Sequence, residues 1–264
     1  MPERPEPSPL GLPFIELESI DSTNNYALER IHAGLAIAGE AIFTSTQTAG
    51  RGQRGRVWQA EPGDNIALSL LIDPAKTAIH RQFYLSAAIA LGTYDLLMLL
   101  LKDHVTIKWP NDLYWQDRKA GGILIESIIR TGEPGHGHTT GPAAWDWAII
   151  GVGININQGH FPDELINPVS LKQITGKEFE PIVLAKELHG MIMEKFDELV
   201  DGGFENIFSQ YLLHLYKRNE KVRLKKDNRV FEATIKTISS SGKLLVEHAI
   251  EEEFGFGEVE WVIK

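Results

Sequence analysis

The sequence contains no cysteine. That excludes disulfides, thiolate metal sites and a cysteine nucleophile, and it fits a reducing compartment. It also lacks a basic excess: 26 lysines and arginines face 36 aspartates and glutamates, for a formal net charge of −10. A broad nucleic-acid-binding surface is therefore disfavoured, since such binding needs clustered Lys and Arg to displace counterions. A local basic site for one nucleotide remains compatible with this charge. No apolar run approaches the roughly 18 residues of a membrane span. The longest, around Leu85 to Leu101, is interrupted by Ser86, Gly92, Thr93, Tyr94 and Asp95. Residues 1–13 are rich in proline and charge, lack a signal peptide's apolar centre and read as a disordered lead-in. These absences lead us to expect a soluble cytoplasmic protein that binds neither DNA nor membrane.

What is present suffices for one large domain and a small appendage, with a core able to enclose a ligand. Asp21 or Ser22 is placed to cap a helix over Thr23–His32, with Gly34 beyond its end. Ala41–Thr46 and Asn65–Ile72 read as strands on either side of a glycine- and arginine-rich loop. Arg81–Lys102 is apolar on most sides and reads as a buried helix. Val105–Trp109, Leu113–Trp115, Gly122–Ile129 and Trp145–Ile156 complete the strands. Thr131–Ala144 reads as a mobile hairpin loop. Helices are predicted over Pro181–Val200 and Phe204–Tyr216. From Glu220, short alternating strands separated by Asp227-Asn228 and Ser241-Gly242 turns predict an all-β module. The expectation is an α+β protein: a lead-in over 1–11, a mixed sheet with flanking helices over 12–217, and a small β-barrel over 218–264.

Five segments carry chemistry. Gly50-Arg51-Gly52-Gln53-Arg54-Gly55-Arg56, followed by Trp58, combines backbone that can approach a ligand with guanidinium forks for phosphate or carboxylate, and an indole to stack on a base. Its bland reading is a flexible basic loop. Lys108-Trp109-Pro110-Asn111-Asp112 ends a strand in a proline-fixed turn that presents Lys108, Asn111 and Asp112 together. Arg118-Lys119 precedes Gly121-Gly122 and an apolar strand ending at Glu126, so Lys119 can meet a ligand over unobstructed backbone. Alternatively it is a solvent-facing lysine on a kinked hairpin. Gly151-Val152-Gly153-Ile154-Asn155 has Ile156 where a dinucleotide loop needs its third glycine, and no Gly-Lys-Ser/Thr phosphate loop occurs. These two glycines instead let a ligand lie against the sheet, with Asn155 offering its amide. Ser22-Thr23-Asn24 sits at a helix N-terminus, whose free N–H groups suit a carbonyl, although capping alone accounts for one hydroxyl. His136, His138 and His160 have no supporting carboxylate pattern and read as solvent-exposed. Glu251-Glu252-Glu253 reads as a solvated turn, and Tyr211 and Tyr216 as helix packing.

In this order and spacing, Ser22-Thr23-Asn24, Gln47, Gly50–Arg56 with Trp58, Lys108–Asp112, Arg118-Lys119 with Gly122-Ile123-Leu124, and Gly151–Asn155 resemble the biotin–protein ligase family. The resemblance spans about residues 14 to 264. It implies a class II aminoacyl-tRNA-synthetase-like catalytic domain and an SH3-like C-terminal barrel. It also implies a two-step reaction in which biotin and ATP form biotinyl-AMP, and a lysine of a biotin carboxyl carrier protein then displaces AMP. Mg²⁺ would arrive with ATP, with no dedicated metal ligands on the protein.

The resemblance assigns catalysis to Lys119, Arg51 and Asp112. It assigns biotin binding to Ser22, Thr23, Asn24, Gln47, Gly50, Arg51, Gly52, Gln53, Lys119, Gly122, Gly151 and Gly153. Nucleotide binding falls to Arg54, Arg56, Trp58, Lys108, Asn111 and Asn155. Asp112 is open between orienting Lys119, the metal or the incoming lysine. Three departures matter. The match starts near Phe14, so the winged DNA-binding domain of some members, and with it a repressor role, is not expected. Gln53 stands where some members carry another arginine, which could loosen retention of the intermediate. Ala67 stands where an aromatic residue often flanks the biotin pocket. A homodimer through a sheet edge is the family expectation. The competing readings are a lipoate–protein ligase or octanoyltransferase, and a non-catalytic biotin- or nucleotide-binding regulator.

Overall fold

The computed structural model describes residues 6–7, 11–74, 82–130 and 144–262. Two sheets organise it. The large one contains β1 (Glu6–Pro7), β2 (Pro13–Ile20), β3 (Ala41–Gln47), β4 (Asn65–Ile72), β5 (Val105–Lys108), β6 (Asp112–Trp115), β7 (Arg118–Arg130) and β8 (Ala144–Asn155), in the order β1-β2-β3-β4-β8-β7-β6-β5. The β2–β3 pair is parallel and the others antiparallel, so the sheet is mixed as expected. Glu6 and Pro7 pair with Phe14 and Pro13, so part of the proline-rich start is ordered against the sheet edge.

Helices α1 (Thr23–His32), α2 (Gln82–Leu101), α3 (Leu171–Thr175), α4 (Pro181–Val200) and α5 (Phe204–Leu213) flank this sheet. The long apolar helix α2 packs into the core with Ile66, Leu68, Leu70 and Ile154 from one sheet face and with Leu188 and Ile192 of α4. By length and composition alone α2 could cross a membrane, contrary to the expectation that its polar interruptions disqualify it. Its apolarity instead serves burial: Leu85, Ile89, Leu96 and Leu97 are fully enclosed, and core burial is what an all-round apolar helix requires. Gly92 permits the close crossing of α2 and α4, since a Cβ there would lie 2.8 Å from the Ile192 Cα. The other sheet face carries α1, whose Ala27 packs with Ile42, Leu71 and Ile149.

The small sheet comprises β9 (Lys221–Lys226), β10 (Arg229–Ile238), β11 (Leu244–Glu247), β12 (Glu251–Phe254) and β13 (Glu260–Trp261), all antiparallel, in the order β12-β11-β10-β9-β13. Among the described residues the outer strands β12 and β13 do not pair with each other, so the ladder does not close into a ring. The Glu251–Glu253 run is not a turn but the start of β12, paired with β11. Charge is tolerable there because the strand is an edge whose Phe254 faces inward, while Lys226 and His248 pair with Glu252. Tyr216 lies beyond the end of α5, where its hydroxyl donates to Asp117 at 2.7 Å; Tyr211 is helix packing, as its full burial requires. The small sheet is fastened to the large one at the Ser241-Gly242 turn. Gly242 has φ +84, with the Phe83 ring 2.6 Å from where a Cβ would stand, and its carbonyl accepts the Trp109 indole N–H at 2.9 Å. The Thr131–Ala144 loop lies outside the described residues except for Ala144, which begins β8.

Candidate functional site

The register of the large sheet produces the site. Thr44 pairs with Ala67, Ala67 with Gly153, Gly153 with Gly122, Gly122 with Asp112, and Asp112 with Lys108. Side chains directly opposite one another share a sheet face, so one row crosses the sheet with three nearly bare positions in the middle and a carboxylate and an ammonium at one end. The next row along is Ile42, Ser69, Gly151 and Leu124. The result is a trough floored by backbone, opening into a cavity of about 570 Å³. Nearly all the residues singled out from sequence border it, from Ser22-Thr23-Asn24 and Gln47, through the arginine loop, to the turn and the two glycine strands. Gly50 does not: its Cβ position is closed off by the Trp58 carbonyl and the Gln47 side chain. Ala67 does border the cavity.

At one end α1 points its N-terminus across the trough. Neither Asp21 nor Ser22 caps it through a side chain. The Thr23 N–H instead donates to Gln47 Oε1 at 2.9 Å, and the Thr23 hydroxyl reaches the same oxygen at 3.2 Å. The residue expected to bind a ligand thus caps the helix, and the Ser22 hydroxyl is left without a capping role. Ser69, fully buried, lies 2.7 Å from the Thr23 hydroxyl and 2.5 Å from Asn24 Oδ1. Asn24 Nδ2 donates to Glu126 at 2.8 Å. Glu126 also takes the Arg51 guanidinium at 2.7 Å, while Arg51 donates to Asn25 at 2.9 Å. One carboxylate therefore fixes both the helix entrance and the loop's first arginine.

The loop folds back over the floor. Gly52 N–H donates to the Arg56 carbonyl, Trp58 N–H to Gly50, and a 3₁₀ turn runs over Gln53–Gly55. Gln53 Nε2 donates to the Ile123 carbonyl at 3.0 Å, pinning the loop to β7, a contact an arginine at this position is not needed for. Arg54, with φ 56, brings its guanidinium against Gly257 of the small sheet. The Trp58 indole rests on Gly153: a Cβ there would stand 2.5 Å from the ring. The indole nitrogen is buried and without a hydrogen-bond partner.

At the other end Lys119 Nζ meets Asp112 at 2.7 Å, over Gly122, with both side chains partly exposed. The backbone of Lys119 is held by Asn167 and Val169. Asn111 donates to the Ile123 carbonyl and accepts the Ile123 N–H through its own carbonyl, locking the turn to β7. Asn155 spends its amide nitrogen on the carbonyls of Lys119 and Val169, at 3.3 and 3.2 Å, so what it offers a ligand is its carbonyl oxygen. Lys108 is buried and donates to the Tyr114 hydroxyl at 3.1 Å. Burial lowers its pKa to about 8, with Asp112 opposing and Lys119 and Arg56 reinforcing the shift. Burial likewise raises that of Tyr114.

Several contributors were not picked out from sequence, among them Phe161 and Leu165 of the segment after β8. Glu126 was legible: it follows Gly122 and Leu124 at period two on the same face. Ser69 follows Ala67 in the same way. The small sheet's Phe256, Gly257, Val259, Glu260 and Trp261 also border the cavity, and no local pattern announces that. Among the described residues no group of three or more His, Asp or Glu could hold a metal. His160 is exposed, and His136 and His138 lie outside the described residues.

Comparison with known proteins identifies the family. Residues 16–140 match the biotin/lipoate A/B protein ligase family model. The bifunctional ligase/repressor BirA of Escherichia coli is 37% identical over 153 residues, which are 57% of this chain and 43% of that protein, so the match covers less than half of that relative's length. The biotin–[acetyl-CoA-carboxylase] ligase of Paracoccus denitrificans is 30% identical over 239 residues, 87% of this chain and 92% of that protein. A biotin protein ligase from Aquifex aeolicus, solved with biotin and ATP, shares the fold with a TM-score of 0.76 at 24% identity, covering 95% of this chain and 99% of that one. With a relative matched along nearly its whole length, the chain belongs to the biotin–protein ligase family.

Proposed function

We propose that the chain is a biotin–protein ligase, joining biotin to ATP and passing the biotinyl group to a lysine of a biotin carboxyl carrier protein. The observation that carries this reading is the trough itself: Gly122, Gly151 and Gly153 let the Lys119–Asp112 pair, Asn24 and the Trp58 ring come down onto the sheet, lining a path from the α1 N-terminus to that pair. A flat bicyclic head group fits along this path, with its ureido carbonyl at the Ser22 hydroxyl beside the Thr23–Gln47 pair and its carboxylate at the Lys119 end.

In the first step a carboxylate oxygen attacks the α-phosphorus, forming a P–O bond while pyrophosphate leaves. Two anions must approach each other, so cations rather than a general base are needed. We assign this role to Lys119 at the Asp112 end, joined by Arg51 once it leaves Glu126 beside α1, and assign Arg54 and Arg56 to the nucleotide. In the second step the carrier amine attacks the acyl carbon, AMP leaves, and the amine proton is lost as the amide forms. Asp112, beside Lys119, orients that lysine. Mg²⁺ would arrive with ATP and supply charge neutralisation at the phosphates, with no metal-binding carboxylate cluster among the described residues. The net charge of −10 supports a role away from DNA, and the absence of cysteine fits the reducing cytoplasm.

The test is incubation with biotin, MgATP and a biotin carboxyl carrier domain, read by intact mass. The carrier is expected to gain one biotinyl group; an unchanged mass defeats the proposal.

A further inference from the structure

We propose that Trp261 is a positioning residue of the nucleotide site: through its indole, the small sheet holds the Lys108 ammonium dehydrated at the cavity wall, ready for phosphate oxygens. This rests on reading the cavity as an ATP site. Lys108 Nζ lies 4.7 Å from the centroid of the Tyr114 ring and 5.3 Å from that of Trp261. Both are within cation–π range. Tyr216 completes the box, its ring 5.1 Å from Tyr114 and 5.6 Å from Trp261. The three rings come from β6, from the segment after α5 and from β13, so the box exists only when the small sheet is docked.

A buried ammonium is costly unless paired. Lys108 is 7% exposed, yet its hydrogen-bond acceptor is a neutral phenol. The nearest candidate carboxylate, Asp112, is engaged with Lys119 at 2.7 Å. A lysine serving structure alone would be expected to hold an anion of the fold. This one is kept by aromatic faces beside a cavity, an arrangement that an entering polyanion would improve. The groups facing it are Asp112, which favours its charge, Lys119 and Arg56, which oppose it, and the Tyr114 hydroxyl. On the Trp261 side Glu260 borders the same cavity. Because burial holds its pKa near 8, phosphate binding above that pH must draw a proton onto Lys108.

The experiment is calorimetric titration of the full chain with MgATP and, separately, adenosine, using wild type, W261F, W261L, K108Q and W261L/K108Q. Each is run at pH 9 in two buffers of different ionisation enthalpy. For W261L we expect MgATP affinity to fall about fivefold to thirtyfold and adenosine affinity to stay within about twofold. Phe at 261 should restore most of the loss, and W261L should add nothing in the K108Q background. Wild type should take up close to one proton on binding MgATP, W261L clearly less and K108Q none. Equal losses for adenosine and MgATP would show that Trp261 stacks the base itself and would overturn the proposal, as would unchanged proton uptake in W261L. If W261L loses its thermal transition, W261F and the K108Q uptake decide. Absence of MgATP binding by wild type would instead defeat the nucleotide reading beneath it.

Discussion

Replacing Gly153 by alanine tests the trough most directly. The added methyl would stand 2.5 Å from the nearest atom of the Trp58 ring. Ordinary carbon–carbon contact is about 3.5–4.0 Å, so the indole must back away by about 1 Å or more. Trp58 is half-buried on a loop held to Gly50 by a backbone hydrogen bond, so it can yield. The stability cost should stay below about 1 kcal/mol, at the low end for an inserted methyl. A ligand packed against the displaced ring has no such freedom. Shifting it with the ring should cost about 1–3 kcal/mol, or roughly fivefold to 150-fold in biotin affinity. Gly151→Ala provides the contrast. There the methyl would meet Asn24 Oδ1 at 2.5 Å, and Asn24 is buried and tied to Ser69 and Glu126. That variant should lose about 1–3 kcal/mol of stability as well as affinity, lowering Tm by about 3–10 °C. Calorimetric titration with biotin and a thermal melt read both quantities. Wild-type biotin affinity in Gly153→Ala would refute the floor. Equal Tm losses in the two variants would refute the idea that Trp58 is the element that yields.

Lys119→Ala should cut adenylate formation, followed by pyrophosphate release, by at least about 10²–10³-fold, while Tm moves little because the Lys119–Asp112 pair is partly exposed; near-normal turnover would remove Lys119 from the chemistry. Glu126→Ala removes the carboxylate that Arg51 and Asn24 share and should weaken biotin binding by about tenfold or more, with added salt unable to mimic the effect; an unchanged affinity would make Glu126 incidental. His189 is fully buried against Phe14, its Nε2 on the Gly39 carbonyl, and burial lowers its pKa. Its stabilising contribution is complete above the unfolded value of about 6.5 and fades as pH falls, so Tm should decline as pH falls below about 6.5, less steeply in His189→Gln; parallel profiles would contradict this. Biotin plus MgATP should raise Tm beyond MgATP alone, whereas lipoate plus MgATP should not, and an added shift with lipoate but not biotin would reverse the choice between the two ligases.

Much of this was legible in the chain. Helices Thr23–His32 and Pro181–Val200 and strand Asn65–Ile72 were bounded correctly, because Gly34, Pro181 and the end of an apolar run are strong local punctuation. The five-residue helix Leu171–Thr175 was missed. Its capping box, Ser170 with Gln173, was readable, but no apolar periodicity follows to draw attention to it. Strand β12 was missed because three glutamates outweigh one phenylalanine in any composition-based reading. The candidate residues were found because glycines and arginines cluster along the chain. Their partners were hidden because partnership is set by register: nothing near Gln47 says that its amide oxygen will meet Thr23, and nothing near Trp261 says that it will face Lys108.

The sheet order has a consequence for assembly. β4 pairs with β8, so the row from Thr44 to Lys108 is closed only after the chain has travelled out through β5, β6 and β7 and come back. Loop-closure entropy is paid before any of those non-local contacts form. No short stretch of the chain carries the trough, and until β8 has paired with β4 its two halves are apart. A molecule bound there therefore recognises only the completed fold, so its binding energy adds to the stability of the whole sheet. The site acts as a proofreader of its own scaffold: occupancy reports that residues at both ends of the sequence have found each other.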